Sequence, residues 1–259
     1  MGINRLQRAF QVVEKNGDKA FVPYIMGGDG GLDTFTEYLH FLHENGATAI
    51  EVGIPFSDPV ADGPTIQRAG LRAMEQGVHI DDILGVIKEV RPTVDTPIVL
   101  MTYVNPILAY GIERFMERCE EVGIDGFIIP DLPYEEQELV LPYLREMALI
   151  PLVTLTSTED RLERIIEEGS GFVYAVTVRG ITGERAEFPE ELTAFLARLR
   201  EMSSLPVLAG FGISSPVHVK HLLPHCDGVV VGSKVIELFR KGEVDTLKEL
   251  MQATRVVKN

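Results

Sequence analysis

At 259 residues with 45% hydrophobic side chains, the chain can bury a sizeable core, which excludes a disordered protein, and its length suits a one-domain α/β barrel. With 39 acidic against 24 basic side chains its net charge is −15, a field that argues against nucleic acid or an anionic membrane as partner. Its two cysteines, Cys119 and Cys226, offer neither a disulfide framework nor a paired metal motif, which favours a reducing, cytoplasmic setting.

In chain order, the opening segment MGINRLQRAF lacks the apolar run of a signal peptide, and Leu6 stands where myristoylation needs Ser or Thr. An amphipathic helix is predicted near residues 3–16, so that 1–18 form a helical cap ahead of the first strand. Strands are then predicted at 21–26 (FVPYIM), 48–54 (TAIEVGI), 97–102 (PIVLMT) and 126–130 (GFIIP), and again at 151–155 (PLVTL), 171–177 (GFVYAVT), 206–211 (PVLAGF) and 227–232 (DGVVVG). Helical patterns fill the gaps, among them 33–45, 112–122, 135–147, 159–168, 190–202 and 245–255. No apolar run is long enough to span a bilayer. Strands that each precede a helix predict an α/β protein, a single (β/α)8 TIM barrel over 1–259 with an extra N-terminal helix. A doubly wound open sheet is the competing arrangement; the regular repetition favours closure.

The stretch EVGIPFSDPVADG (51–63) places a glutamate inside an apolar strand. Alternation along 47–54 puts Thr48, Ile50, Val52 and Ile54 on one face, suited to packing under helices. Ala47, Ala49, Glu51 and Gly53 share the other, facing into the barrel. Glu51 is then the one charge on an inner face of small residues, near the strand's C-terminal end, where such barrels keep their catalytic rim. A structural glutamate linked to water or a cation fits the same position.

LAGFGISS (208–215) and VVVGSKV (229–235) place glycines where the seventh and eighth strands end. Loops after these two strands often bind phosphate. Gly210, Gly212 and Gly232 have no Cβ, so the N–H groups of Gly212, Gly232 and Ser233 can converge on phosphate oxygens, aided by helix dipoles. Such local donors are what an anionic ligand of so acidic a chain requires. Glycines that merely turn strand into helix are the alternative.

Together IEVGIPFSDPVADGP (50–64), GFVYAVTVRGITG (171–183), GFGISSP (210–216) and VVVGS (229–233) resemble the tryptophan synthase α subunit family, across nearly the whole chain. The resemblance implies a lyase that cleaves indole-3-glycerol phosphate to indole and glyceraldehyde 3-phosphate. Its paired catalytic acids match Glu51 and Asp62. Burial should raise the pKa of Glu51, suiting a proton donor to indole C3, while Asp62, better solvated on its loop, should stay ionised and accept from the indole N–H.

Position and resemblance together put Tyr24, Met101, Tyr103, Tyr174 and Phe211 around the indole, although aromatics there can also simply fill the barrel top. Residues 178–190 (VRGITGERAEFPE) form a long charged loop able to act as a mobile lid. By resemblance Thr182 bonds Asp62 on closure, and Gly183 lies along the substrate. Asp58 shapes its loop, and Asp131 is a capping or interface residue.

The resemblance also implies an αββα heterotetramer, with loops 55–63, 104–111 and 130–135 as the docking face. Pyridoxal phosphate belongs to the β-subunit partner and no cofactor to this chain. Departures from the family pattern are Met26-Gly27-Gly28-Asp29-Gly30, which predicts a looser first loop, and Thr177, Lys234 and Thr156 in place of the usual residues.

A Schiff-base route needs a desolvated lysine, and no predicted strand contains one; only Lys234 lies near a strand end. His218, His221 and His225 are the best metal candidates, but Pro224 interrupts them and no carboxylate joins, so solvated surface histidines are the better reading. Competing functions are a stand-alone indole-releasing lyase, a non-catalytic docking or regulatory subunit, and a phosphosugar isomerase on a related barrel.

Overall fold

The strand AFVPYIM (β1, Ala20–Met26) is buried along its whole length, as a parallel strand covered on both faces must be. The computed structural model describes residues 2–176, 188–210 and 212–256. Ahead of β1 lies α1 (Gly2–Lys15). After it the chain alternates: α2 (Leu32–Glu44), β2 (Ile50–Gly53), α3 (Pro64–Glu75), α4 (Ile80–Val90), β3 (Ile98–Met101), α5 (Val104–Tyr110), α6 (Ile112–Val122) and β4 (Gly126–Ile128). Next come β5 (Ala148–Leu149), β6 (Leu152–Thr154), α7 (Glu159–Glu167), β7 (Val173–Val176) and α8 (Glu190–Met202). The last elements are β8 (Val207–Gly210), α9 (Pro216–Leu222), β9 (Gly228–Val231), α10 (Ser233–Lys241) and α11 (Val244–Gln252).

The strands form one parallel sheet in the order β5-β4-β3-β2-β1-β9-β8-β7-β6. Its two ends, β5 and β6, are consecutive in the chain, so the sheet curls until they meet. Pro151 between them has no N–H to give to a ladder. The Ile150 N–H still reaches the Phe127 carbonyl at 2.9 Å, and the Pro151 carbonyl accepts from Tyr174 N–H at 2.9 Å. The fifth barrel strand is therefore one strand broken at a proline, and the ring closes through it. It begins earlier than the predicted 151–155.

The segment predicted as a helix at 135–147 is instead two short 3-10 turns, Tyr134–Leu139 and Leu141–Tyr143. Pro142 cannot continue an α-helical hydrogen-bond ladder, and Arg145 takes a φ of 52°, which reverses the backbone before β5.

Side chains divide into two apolar layers. Val22, Tyr24, Met26, Ala49, Val99, Met101, Ile128, Phe172, Tyr174, Leu208 and Val230 fill the barrel. Ile50, Val52, Ile98, Leu100, Phe127 and Val229 pack outward under the helices. Leu6 and Phe10 of α1 join the inner layer, with Phe10 against Phe172 at 5.6 Å between ring centroids, so α1 plugs the N-terminal mouth.

Beside that plug, Asp125 is fully buried at the start of β4. It accepts from Arg5 Nη1 at 2.9 and 3.0 Å, Arg91 Nη2 at 2.9 Å and the Ile98 N–H at 2.9 Å. Burial pushes its pKa up, and the two guanidinium groups and the Ile98 N–H pull it back.

Candidate active site

The opposite mouth holds a cavity of about 330 Å³ lined by Tyr24, Glu51, Asp62, Ile66, Met101, Tyr174, Gly212, Ser214, Gly232, Ser233, Lys234 and Glu237, among others. Strand register assembles it. Tyr24 of β1 stands beside Glu51 of β2, and Glu51 stands beside Val99 of β3. Ala49 belongs to the inner layer and Ile50, Val52 and Ile54 to the outer, so the alternation carries Glu51 inward. Ala47, expected inside, packs in the outer layer. It precedes β2, where the two-residue period has not yet begun.

Glu51 is only 3% exposed, and its Oε2 is buried with no hydrogen-bond partner among the described residues. Burial, with Asp62 adding repulsion, pushes its pKa up to about 8. Asp62 is half-buried rather than well solvated as expected. Burial therefore raises its pKa to about 6, while a hydrogen bond from Tyr103 pulls it down. Near neutral pH the pair accordingly consists of one carboxylic acid, Glu51, and one carboxylate, Asp62.

Two glycines make room for the tyrosines. A Cβ on Gly53 would lie 1.9 Å from Tyr24 Oη, and one on Gly210 would lie 2.2 Å from Tyr174 Cε1. Gly210 is thus required by the ring it admits. Met101 lines the cavity with both tyrosines. Tyr103 lies outside the lining; it is fully buried below the loop after β2. Its hydroxyl accepts from the Ala61 N–H at 3.2 Å, bonds the Asp62 carboxylate, and its ring packs at 5.5 Å from Phe56. It buttresses the loop that carries Asp62.

At the other end of the cavity, Gly212 follows β8 with a φ of 75°, the left-handed region glycine favours. Gly232 precedes the first turn of α10, which begins with Ser233. N–H groups of a first helical turn have no partner within the helix and attract anions. Thr182, Gly183 and Phe211, with most of the 178–190 loop, lie outside the described residues.

The first loop is not loose. Arg72 forks onto Asp29 at 2.6 and 2.7 Å, and Gly28 sits where a Cβ would meet Val78 at 2.6 Å. Asp131 caps α5 by accepting from the Val104 N–H at 3.0 Å. Among the described residues no three His, Cys, Asp or Glu side chains gather as a metal site. His218 Nδ1 accepts from the Ser214 N–H at 3.3 Å, and Phe188 packs on His218 and His221. No helix among these residues is long and apolar enough to cross a membrane.

Sequence reasoning missed Ile66, Ser214 and Glu237 as cavity residues. Glu237 falls one helical turn after Lys234, a spacing that places both on one face, and that signal was there to be read.

A parallel barrel with a protonated and an ionised carboxyl facing one cavity at its C-terminal rim is the architecture of an acid–base enzyme acting on a small molecule. The family model for the tryptophan synthase alpha chain matches residues 10–259. A tryptophan synthase alpha chain of Bacillus cereus (strain AH820) is 55% identical over 257 residues, 98% of each chain. Tryptophan synthase subunit alpha from Legionella pneumophila superposes with a TM-score of 0.88 at 33% identity over 98% of each chain. A chain of Mycobacterium tuberculosis tryptophan synthase does so at 0.90 and 32% identity, covering 97% of this chain and 98% of that one. This chain belongs to the tryptophan synthase alpha chain family.

Proposed function

We propose that the chain cleaves indole-3-glycerol phosphate to indole and glyceraldehyde 3-phosphate, the alpha-subunit step of tryptophan biosynthesis. The observation that carries this reading is the pair Glu51 and Asp62, two carboxyls in one cavity with pKa values pushed to about 8 and about 6. Indole is a poor leaving carbanion, so C3 must first gain a proton. The Glu51 carboxyl gives it, and the ring becomes an indolenine cation. Asp62, ionised, accepts a hydrogen bond from the ring N–H and stabilises the charge that develops there. The Glu51 carboxylate then takes the proton of the side-chain hydroxyl next to the ring. The C–C bond breaks, its electron pair restores the aromatic ring, and the hydroxyl carbon leaves as the aldehyde. Each positioned proton transfer contributes on the order of 10²–10⁴ in rate.

In this reading Tyr24, Met101 and Tyr174 flank the ring, and N–H groups of Gly212, Gly232 and Ser233 hold the phosphate. Tyr103 acts through Asp62. Phe211, Thr182 and Gly183, assigned by resemblance, complete the enclosure, with 178–190 as lid over a single domain capped by residues 1–18. The protein's own groups move only protons, and the reading asks no cofactor of this chain; pyridoxal phosphate would serve the β subunit of a cytoplasmic αββα assembly.

Because the sequence contains no tryptophan, released indole is read by its fluorescence against a tyrosine-only background. The isolated chain should release indole slowly from indole-3-glycerol phosphate, and much faster with a cognate β subunit. Equal rates with and without that subunit would identify a stand-alone lyase. No turnover in either case would identify a docking subunit.

A further inference from the structure

The cavity has an electrostatic problem that backbone donors alone address weakly. The acidic residues Asp62 and Glu237 line it beside a protonated Glu51, the whole chain carries −15, and the ligand proposed for it is a phosphate ester. Among the described lining residues Lys234 is the one cation. It follows Ser233 directly, in the first turn of the nine-residue helix α10, beside the backbone groups assigned to the phosphate.

Among the described residues its ammonium makes no hydrogen bond shorter than its contact with Glu237. The ion-pair partner it has among the described residues is Glu237 at 4.0 Å, longer than a hydrogen bond. The side chain is 24% exposed, sheltered enough for its charge to be felt and open enough for the stem to swing. An independent pointer to a ligand is Glu51, a cavity-lining residue whose buried Oε2 has no hydrogen-bond partner among the described residues. We infer that Lys234 is a phosphate-binding residue, whose ammonium leaves Glu237 and pairs with the phosphate of the substrate. A lysine serves here as a point charge with three donors on a flexible stem, able to follow a phosphate as the ligand settles. The inference deepens the phosphate reading given above and rests on it.

The test is calorimetric titration with sn-glycerol 3-phosphate, which carries the phosphate without the reacting ring, against wild type, Lys234→Met and Lys234→Arg. Loss of a charged hydrogen bond should weaken binding by Lys234→Met roughly tenfold or more and flatten its salt dependence. Lys234→Arg should recover most of the affinity. Unchanged affinity for indole alone shows that the Met variant keeps its fold. In turnover, Lys234→Met should raise KM for indole-3-glycerol phosphate by the same factor and leave kcat within about twofold. Wild-type affinity and salt dependence in Lys234→Met would overturn the assignment. Lysine-dependent binding of glycerol phosphate by a chain that releases no indole would uphold the lysine and sink the lyase reading. No binding of glycerol phosphate by wild type would sink the phosphate site and the lysine together.

Discussion

The two mouths of the barrel each bury a carboxylate, and they treat it in opposite ways. At the N-terminal mouth Asp125 is enclosed with two arginines and a backbone N–H, all at 2.9–3.0 Å. At the C-terminal mouth Glu51 is almost as deeply buried, yet among the described residues its Oε2 has no donor and the charged group that acts on it most is another acid, Asp62. A buried charge is tolerable only when paired; unpaired, the group keeps its proton instead. The first arrangement ties α1, the end of α4 and the start of β4 together. The second holds a proton near neutral pH, which is a poor way to hold a fold together and a good way to move a proton.

Glu51→Gln is the largest test of that difference. It keeps the shape and removes the transferable proton, so turnover should fall by on the order of 10²–10⁴ while indole-3-glycerol phosphate still binds. Undiminished kcat would end the catalytic assignment. The same variant should gain stability where Asp125 variants lose it. With a folded pKa of about 8 against an ordinary 4.5, Glu51 favours the folded state fully below pH 4.5 and withdraws that contribution as pH rises towards 8. Gln does not ionise, so in urea melts Glu51→Gln should gain on wild type between pH 5 and pH 8. A gap that narrows over this window would show that Glu51 is paired after all.

Asp125→Asn comes next. It leaves Arg5 and Arg91 without a counter-charge and should cost about 3–5 kcal/mol in urea denaturation, with kcat per folded molecule unchanged. A loss below about 1 kcal/mol would place this network with ordinary surface ion pairs, and the contrast between the two mouths would fail.

These two acids also differ in how far the sequence announces them. Glu51 is legible because it interrupts a run whose alternation assigns every neighbour to a face, and the motif around it is long. Asp125 is not, because its partners lie 34 and 120 residues away, and only the closed ring brings them together. The strands were readable from β-branched runs. The break at Pro151 and the 3-10 turns were less so, since a charged stretch of helical composition hid Pro142. The pairing of Gly53 with Tyr24 and of Gly210 with Tyr174 depends on packing between neighbouring strands, which no single-strand pattern contains. Tyr103 was read as part of the indole pocket because strand-end aromatics all look alike in sequence; its hydroxyl partners place it under the loop instead.

Tyr103 offers the finest test. If the cavity works with Asp62 ionised and Glu51 protonated, kcat/KM should be bell-shaped in pH, falling below about 6 and above about 8. The two limbs belong to the coupled pair, not to either acid alone. Tyr103→Phe removes the hydrogen bond that lowers the pKa of Asp62, so the acidic limb should move up and the bell should narrow. The expected loss is roughly tenfold at pH 6, the scale of one hydrogen bond to a charged group, and much smaller near pH 8. The hydroxyl also accepts from the Ala61 N–H, and a variant that merely loosened that loop would lose activity equally at every pH. A narrowed bell therefore assigns Tyr103 to the tuning of Asp62. A uniform loss assigns it to the loop, and a limb that moves down would mean that the phenol had opposed the carboxylate rather than supported it.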